Sequence, residues 1–146
     1  MNSCLVCQRI QLIKEGKNTF FVKELETGYI VLKDDQFYTG YTLFLAKKHL
    51  SELFELPSDY KMLFLAEMTQ VAKAVSLGFN AEKMNYELLG NTNTHLHWHL
   101  IPRRKTDLNP TLPIWSSEHQ AYKPTNKELA DSISKLKNGL ETVLNK

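Results

Sequence analysis

The first part of the chain alternates short apolar runs with turn-forming residues, a pattern that predicts successive β-strands. Residues 20–25 and 29–33 are rich in aromatic and β-branched side chains, and the short segment 26–28 between them, ending in a glycine, predicts a hairpin. A third strand is predicted at 41–45, where a continuous apolar run indicates burial on both faces.

Apolar residues recurring at intervals of three and four predict two main helices. Ser58 can cap the first helix, and Gly78 is a plausible end. The second is predicted at about 125–146, where the capping-box pattern Thr125-Asn126-Lys127-Glu128 precedes a stripe of leucines and an isoleucine. Gly139 weakens the prediction for the last turns of that helix.

Two further strands are predicted between the helices, at 83–89 and 95–102. Pro110 and Pro113 then mark a loop of about 20 residues, long enough to suggest a function. Strands grouped in sequence, with helices apart from them, predict an α+β fold with a largely antiparallel five-stranded sheet. With no repeat or linker that would divide the chain, we expect a single domain over residues 1–146.

Composition and charge argue against several functional classes for this chain. The chain has 18 Lys and Arg against 16 Asp and Glu, a net charge of +2, which argues against a nucleic-acid-binding surface. No run approaches 18 apolar residues, so we expect no membrane span, and the first residues lack a signal-peptide pattern, so we expect a cytoplasmic protein. In that compartment Cys4 and Cys7, spaced C-x₂-C, favour a metal or redox pair over a disulfide.

Three of the five histidines fall within five residues. Side chains alternate along a strand, so His95, His97 and His99 would form a row on one face, about 7 Å apart, with bulky apolar residues on the other face. Such a row suggests imidazole chemistry or a metal site. Because neighbours on one flat strand converge poorly on one tetrahedral ion, we expect the three histidines to have different roles.

The segment from His95 to Pro102 resembles the signature of the histidine triad family of nucleotide hydrolases and transferases. The wider segment Leu89 to Arg103, and the later Pro113-Ile114-Trp115, are similar to a bacterial branch described as diadenosine tetraphosphate hydrolase-like. The resemblance extends from about residue 4 to residue 115. It implies a fold in which the triad strand closes the sheet.

The resemblance implies that His97 is the nucleophile and forms a covalent nucleotidyl-histidine that water then resolves. A neutral imidazole has a lone pair at pH 7 and needs no second base. It does need orientation, which a backbone carbonyl accepting from Nδ1–H would supply. His99 is then placed to bind phosphate oxygens or to protonate the leaving group.

Four side chains near the triad are candidate substrate contacts. The link before the triad is shorter than in many family members, and Asn91 and Asn93 are its available amide donors. Arg103 suits a polyphosphate, the alternative being a solvated basic turn. Trp115 is either a core or lid residue, or it stacks near the site.

Two distant histidines would complete the cysteine pair as a closed Cys₂His₂ zinc site. The resemblance implies that these ligands are His49, which follows the third strand, and His95. The alternatives are two small buried thiols and a thioredoxin-like redox pair, which the lack of a preceding strand disfavours. His119 lies in a polar stretch and is expected to be solvated.

Taken with the resemblance, these residues predict a hydrolase that cleaves a nucleoside phosphoanhydride or phosphoramidate, specifically diadenosine tetraphosphate. The resemblance implies a twofold homodimer, and an exposed sheet edge has a physical reason to pair. Two alternatives remain open: a nucleotide-binding sensor or scaffold that has lost turnover, and a zinc-binding structural module.

Overall fold

The computed structural model describes residues 3–145, and this part of the chain contains one five-stranded antiparallel sheet and three helices. The predicted α+β class is therefore confirmed. The strands are β1 (Phe21–Glu24), β2 (Gly28–Leu32), β3 (Thr42–Ala46), β4 (Lys83–Glu87) and β5 (His97–Arg103). The helices are α1 (Leu5–Lys14), α2 (Ser58–Phe79) and α3 (Asn126–Leu144), with short 3₁₀ turns at Leu53–Glu55 and Ile114–Ser116.

Four elements differ from the sequence prediction. Strand β4 ends at Glu87 and not at residue 89. Helix α1 was not predicted, although its buried Val6 and Ile10 have helical spacing. Strand β5 begins at His97, so His95 precedes the strand instead of forming part of it. Helix α3 continues through Gly139 to Leu144, so the predicted weakness of its last turns was wrong.

The strands are arranged in the order β1-β2-β3-β5-β4, with every neighbouring pair antiparallel. Strand β5 is thus an interior strand, paired on both sides, and His97 and His99 lie opposite Leu45 and Leu43 of β3. Every residue of β3 is buried, as its apolar run predicted. The histidines are therefore held on a rigid part of the sheet.

The two faces of the sheet carry separate apolar cores. Leu96 and Leu100 belong to the core shared with α2 and α3, whereas Ile101 belongs to the core shared with α1. Side chains on β5 thus alternate between the two faces as the sequence pattern predicted, and His97 and His99 lie on the α1 face.

Helix α2 packs against α3 and against strands β3, β4 and β5. By length and composition alone this helix could cross a membrane, although the sequence led us to expect no such segment. Its apolar residues, including Phe64 and Val71, instead pack into the core with the sheet and α3. Its buried Glu67 accepts hydrogen bonds from the backbone N–H groups of Glu26 and Thr27, at 3.1 and 2.8 Å. Packing in the core accounts for the apolar character of the helix.

Candidate active site and metal cluster

His97 is buried at the start of β5, and a backbone group orients its ring. Its Nδ1 lies 2.7 Å from the carbonyl oxygen of His95. A carbonyl can only accept, so Nδ1 carries the hydrogen and Nε2 keeps its lone pair. Burial lowers the pKa of His97, and the cations of Arg9 and Lys33 lower it further, against the opposing effect of the carbonyl. The ring is therefore neutral at pH 7, with its Nε2 lone pair held in a fixed orientation.

His99 lies next to His97 on the same face, with the two ring centroids 4.9 Å apart. Its Nδ1 is 2.7 Å from the hydroxyl of Tyr41. Burial lowers the pKa of His99 to about 4, and His97, Lys33 and Arg9 contribute in the same direction. His99 is therefore neutral at pH 7 and can act there as a neutral hydrogen-bonding group.

Both histidines line a cavity of about 440 Å³. Asn91 and Asn93, predicted as substrate contacts, lie in the loop that forms one wall of this cavity. The other lining residues are Arg9, Lys33, Leu43, Leu89, Gly90, Thr92 and Trp115. The cavity thus combines an imidazole lone pair, amide donors and positive charge, groups that can interact with a phosphoryl ligand.

Trp115 lies at the rim of the cavity. The residue is 55% exposed, and its indole N–H donates a hydrogen bond to the Glu87 carboxylate. Its ring lies edge-on to the ring of His99, with the two centroids 5.9 Å apart. Of the alternatives left open by the sequence, this placement favours a residue beside the site over a core residue.

Two cations of the cavity were missed in the sequence prediction. Arg9 lies on α1, the helix that was not predicted, and Lys33 directly follows β2. The ammonium of Lys33 also pairs with the Asp34 carboxylate at 2.8 Å. Nothing in the local sequence pattern distinguishes these two residues from other surface cations, because only the fold brings them to the histidines.

Arg103 does not line the cavity of the two histidines, which was its predicted place. Only 4% of the residue is exposed. Its guanidinium lies over the ring of Tyr38, with Cζ 5.3 Å from the ring centroid. Its hydrogen bonds go to the Asp107 carboxylate (2.8 Å), the Asn85 side chain (2.9 Å) and the carbonyls of Leu112 (2.7 Å) and Asn109 (3.3 Å). Both predictions from the sequence, a substrate contact and a solvated turn, are therefore wrong for Arg103. Its guanidinium instead stabilises the loop after β5 through hydrogen bonds within the protein.

His119 is also engaged within the protein, contrary to the expected solvation. Its Nε2 lies 2.8 Å from the Asp35 carboxylate, and its ring stacks on Phe37 with centroids 4.2 Å apart. Together these contacts fasten the segment after Trp115 to the loop that precedes β3.

The four predicted metal ligands lie together. The candidate ligand atoms of Cys4, Cys7, His49 and His95 all lie within 4.8 Å of one another. The Nδ1 atoms of His49 and His95 are 3.1 Å apart. Cys7 Sγ lies 3.3 Å from Nδ1 of His49, and Cys4 Sγ lies 3.5 Å from Nδ1 of His95. Cys4 caps α1 and Cys7 lies in its first turn, so one helical turn brings both thiols to the same side.

This cluster fits zinc. The Nε2 of His95 is 2.7 Å from the Ala46 carbonyl, so it carries the hydrogen and the Nδ1 lone pair faces the cluster. Zinc bonds of about 2.3 Å to sulfur and 2.0–2.1 Å to nitrogen in a tetrahedron would place the ligand atoms roughly 3.3–3.8 Å apart. Four of the six separations, at 3.1–3.5 Å, are close to that range, and all six are within 4.8 Å.

Known proteins share both sequence and fold with this chain. The HIT domain family model matches residues 14–106. The adenosine 5′-monophosphoramidase of Candida albicans is 23% identical over 147 residues, covering 93% of this chain and 95% of that protein. A histidine triad (HIT) protein from Sinorhizobium meliloti has a TM-score of 0.76 at 22% identity, covering 89% of this chain and 93% of its own.

A Zn-bound histidine triad family protein from Mycobacterium smegmatis has a TM-score of 0.71 at 23% identity, covering 98% of this chain and 96% of its own. These solved structures establish the likeness of the fold, and the family model covers well over half of the chain. The chain therefore belongs to the HIT, or histidine triad, family.

Proposed function

We propose that the chain is a nucleotide hydrolase or transferase that cleaves a nucleoside phosphoanhydride or phosphoramidate through a covalent intermediate on His97. The observation that carries this proposal is the hydrogen bond from His97 Nδ1 to the His95 carbonyl. It leaves the Nε2 lone pair available beside a cavity that contains amide donors and cations. A site that only binds nucleotides would not require an oriented lone pair.

In the first step, Nε2 of His97 attacks the phosphorus that carries the nucleoside, and the bond from phosphorus to the leaving group breaks with its electron pair. In the second step, water attacks the same phosphorus and the bond to Nε2 breaks. The net reaction consumes one water and yields a nucleoside monophosphate and a protonated leaving group. The cavity offers four groups that can offset the negative charge on the phosphoryl oxygens: the amides of Asn91 and Asn93 and the cations of Arg9 and Lys33.

Diadenosine tetraphosphate is the substrate that we propose first. The cations Arg9 and Lys33 support a substrate with several phosphates. The relative from Candida albicans, an adenosine 5′-monophosphoramidase, supports a phosphoramidate as the alternative leaving group. Both substrates present a nucleoside-bearing phosphorus to the same nucleophile.

Turnover of both substrates by the purified protein, followed by chromatography, tests this function. We expect His97→Ala to lower kcat by about 10³-fold or more, because the variant cannot form the intermediate. His119→Ala is the matched control, since that histidine is not among the residues that line the cavity. Undiminished turnover by His97→Ala would contradict the proposal, and binding without product would identify a sensor or scaffold.

We also propose that Cys4, Cys7, His49 and His95 bind one zinc ion. The donor set and its separations support this, as does the Zn-bound structure of the Mycobacterium smegmatis protein. A closed Cys₂His₂ site supplies structural stabilisation. Here it would tie α1 to the segment before β5, where the His95 carbonyl orients His97.

Metal analysis of the purified protein tests the zinc site, with one zinc per chain expected. Cys7→Ser should lower both the zinc content and the Tm, because the thiolate is lost and metal binding is coupled to folding. Gln11→Ser, on the exposed side of the same helix, should change neither. A wild-type protein without zinc, or a Cys7→Ser variant with full zinc content, would overturn this assignment.

A further inference from the structure

A buried hydrogen bond links the second histidine of the cavity to a tyrosine from a neighbouring strand. Tyr41 directly precedes β3 and is only 4% exposed, and its hydroxyl oxygen lies 2.7 Å from Nδ1 of His99. Among the residues that the structure describes, His99 is the only hydrogen-bond partner of that hydroxyl. The proton of this bond can belong to either residue, and the two assignments have different chemical consequences.

If His99 donated, the phenol hydrogen of Tyr41 would have no acceptor in a buried position, which is unfavourable. His99 would then also present an Nε2 lone pair to an anionic phosphoryl group. If Tyr41 donates instead, both groups are satisfied and the hydrogen of the neutral ring lies on Nε2. Burial and nearby carboxylates raise the pKa of Tyr41, so the phenol retains the proton that it donates.

We propose that Tyr41 is a positioning residue whose hydroxyl holds His99 as the Nε2–H tautomer, so that the site presents a lone pair at His97 and an N–H at His99. The two histidines have the same chemistry and lie two residues apart on one strand. Their partners distinguish them, because a carbonyl accepts from Nδ1 of His97 and a phenol donates to Nδ1 of His99.

The catalytic consequence rests on the proposed function. An N–H held on Nε2 can donate to a phosphoryl oxygen, and that bond strengthens as the oxygen gains charge in the transition state. The donation does not require a charged imidazole, so His99 can assist at neutral pH. The tautomer itself is a property of the free protein and can be measured without any substrate.

The first test is nitrogen NMR of the wild-type protein labelled with ¹⁵N-histidine at pH 7, with signals assigned through His97→Ala and His99→Gln. We expect His97 to carry its hydrogen on Nδ1 and His99 to carry its hydrogen on Nε2. A His99 ring protonated on Nδ1 would overturn the proposal, whatever the protein proves to catalyse. If the wild type turns over neither substrate, the proposed function fails while this measurement still decides the tautomer.

The second test compares Tyr41→Phe with Tyr38→Phe. Tyr38 is equally buried, at 3% exposure, and its hydroxyl has no hydrogen-bond partner among the described residues, so both variants lose the same atom from a buried ring. We expect Tyr41→Phe to lower kcat for diadenosine tetraphosphate about tenfold, with KM within about twofold, and to give a mixture of His99 tautomers. Tyr38→Phe should leave kcat and the tautomer unchanged. Equal kcat values for the two variants, or an unchanged His99 tautomer in Tyr41→Phe, would refute the role of Tyr41.

Discussion

At the scale of single residues, Arg103 shows that a position beside the triad in sequence does not place a side chain in the cavity. Its guanidinium suits a polyphosphate and the residue directly follows the predicted triad strand, so the sequence predicted a substrate contact. Four residues of extended chain nevertheless separate it from His99 by about 13 Å. Its side chain meets carbonyls and the Asp107 carboxylate, partners that follow only from the path of the next loop. By contrast, Asn91 and Asn93 do line the cavity, because their loop leads directly into the triad.

The lowered pKa of His99 predicts how stability depends on pH. Burial, aided by nearby cations, lowers this pKa from 6.5 to about 4 in the folded protein. Between these values the unfolded chain binds more protons at this position than the folded chain. The free energy of unfolding should therefore fall as pH drops from about 6.5 towards 4, and His99 should have no effect above that window.

Urea unfolding at pH 7.5 and pH 5 measures this dependence. We expect the wild type to lose more stability between the two pH values than His99→Gln, which has no titrating group at that position. Using the difference between the two proteins removes the contributions of groups remote from His99, including the Cys–His cluster, which both proteins share. Equal losses in the two proteins would show that His99 does not titrate abnormally.

At the scale of elements, the strands and the two long helices were predictable because each carries a strong local pattern. Helix α1 is short and buries only Val6 and Ile10, and two apolar residues at helical spacing are too weak a pattern to predict a helix. The start of β5 could not be predicted from alternation. His95 leaves the strand pattern because its Nε2 bonds to the Ala46 carbonyl and its Nδ1 faces the cluster, and both are long-range contacts.

Gly139 illustrates a tertiary contact that outweighs helix propensity. Helix α3 packs closely against α2 there, and a Cβ at position 139 would lie 2.4 Å from the carbonyl oxygen of Ala74. We expect Gly139→Ala to lower the free energy of unfolding by about 1–3 kcal/mol despite the higher helix propensity of alanine.

The control for this prediction is Asn138→Ala, which makes a similar gain in propensity on the exposed side of the same helix. Denaturant unfolding of both variants separates the two effects. A Gly139→Ala protein as stable as Asn138→Ala would mean that the helices can move apart at little cost.

At the scale of the whole molecule, the candidate site depends on segments that are far apart in sequence. Arg9 comes from α1, Lys33 from the end of β2 and Trp115 from the loop after β5, while Cys4 and His49 approach the same strand from its N-terminal end. The resemblance to a family could suggest the cluster and the roles of the triad. The cations of the cavity and the Tyr41 contact required the three-dimensional structure, because no local pattern brings those residues together.

The two edges of the sheet differ, and the difference predicts how two copies of the chain would associate. Strand β1 has only four residues and an irregular register with β2, features that discourage pairing through its edge. Strand β4 has five residues in regular register with β5, and Tyr86 on this strand is 48% exposed. We therefore expect a homodimer at micromolar concentration that forms through β4.

Sedimentation velocity tests this assembly with one variant at each edge. Tyr86→Asp should shift the protein from dimer to monomer, because it places a charge in the expected interface and, in a symmetric dimer, places it twice. Lys23→Asp, at the β1 edge, should leave the mass unchanged. A wild type that remains monomeric would exclude the dimer at that concentration. Dissociation by Lys23→Asp but not by Tyr86→Asp would place the interface at the opposite edge of the sheet.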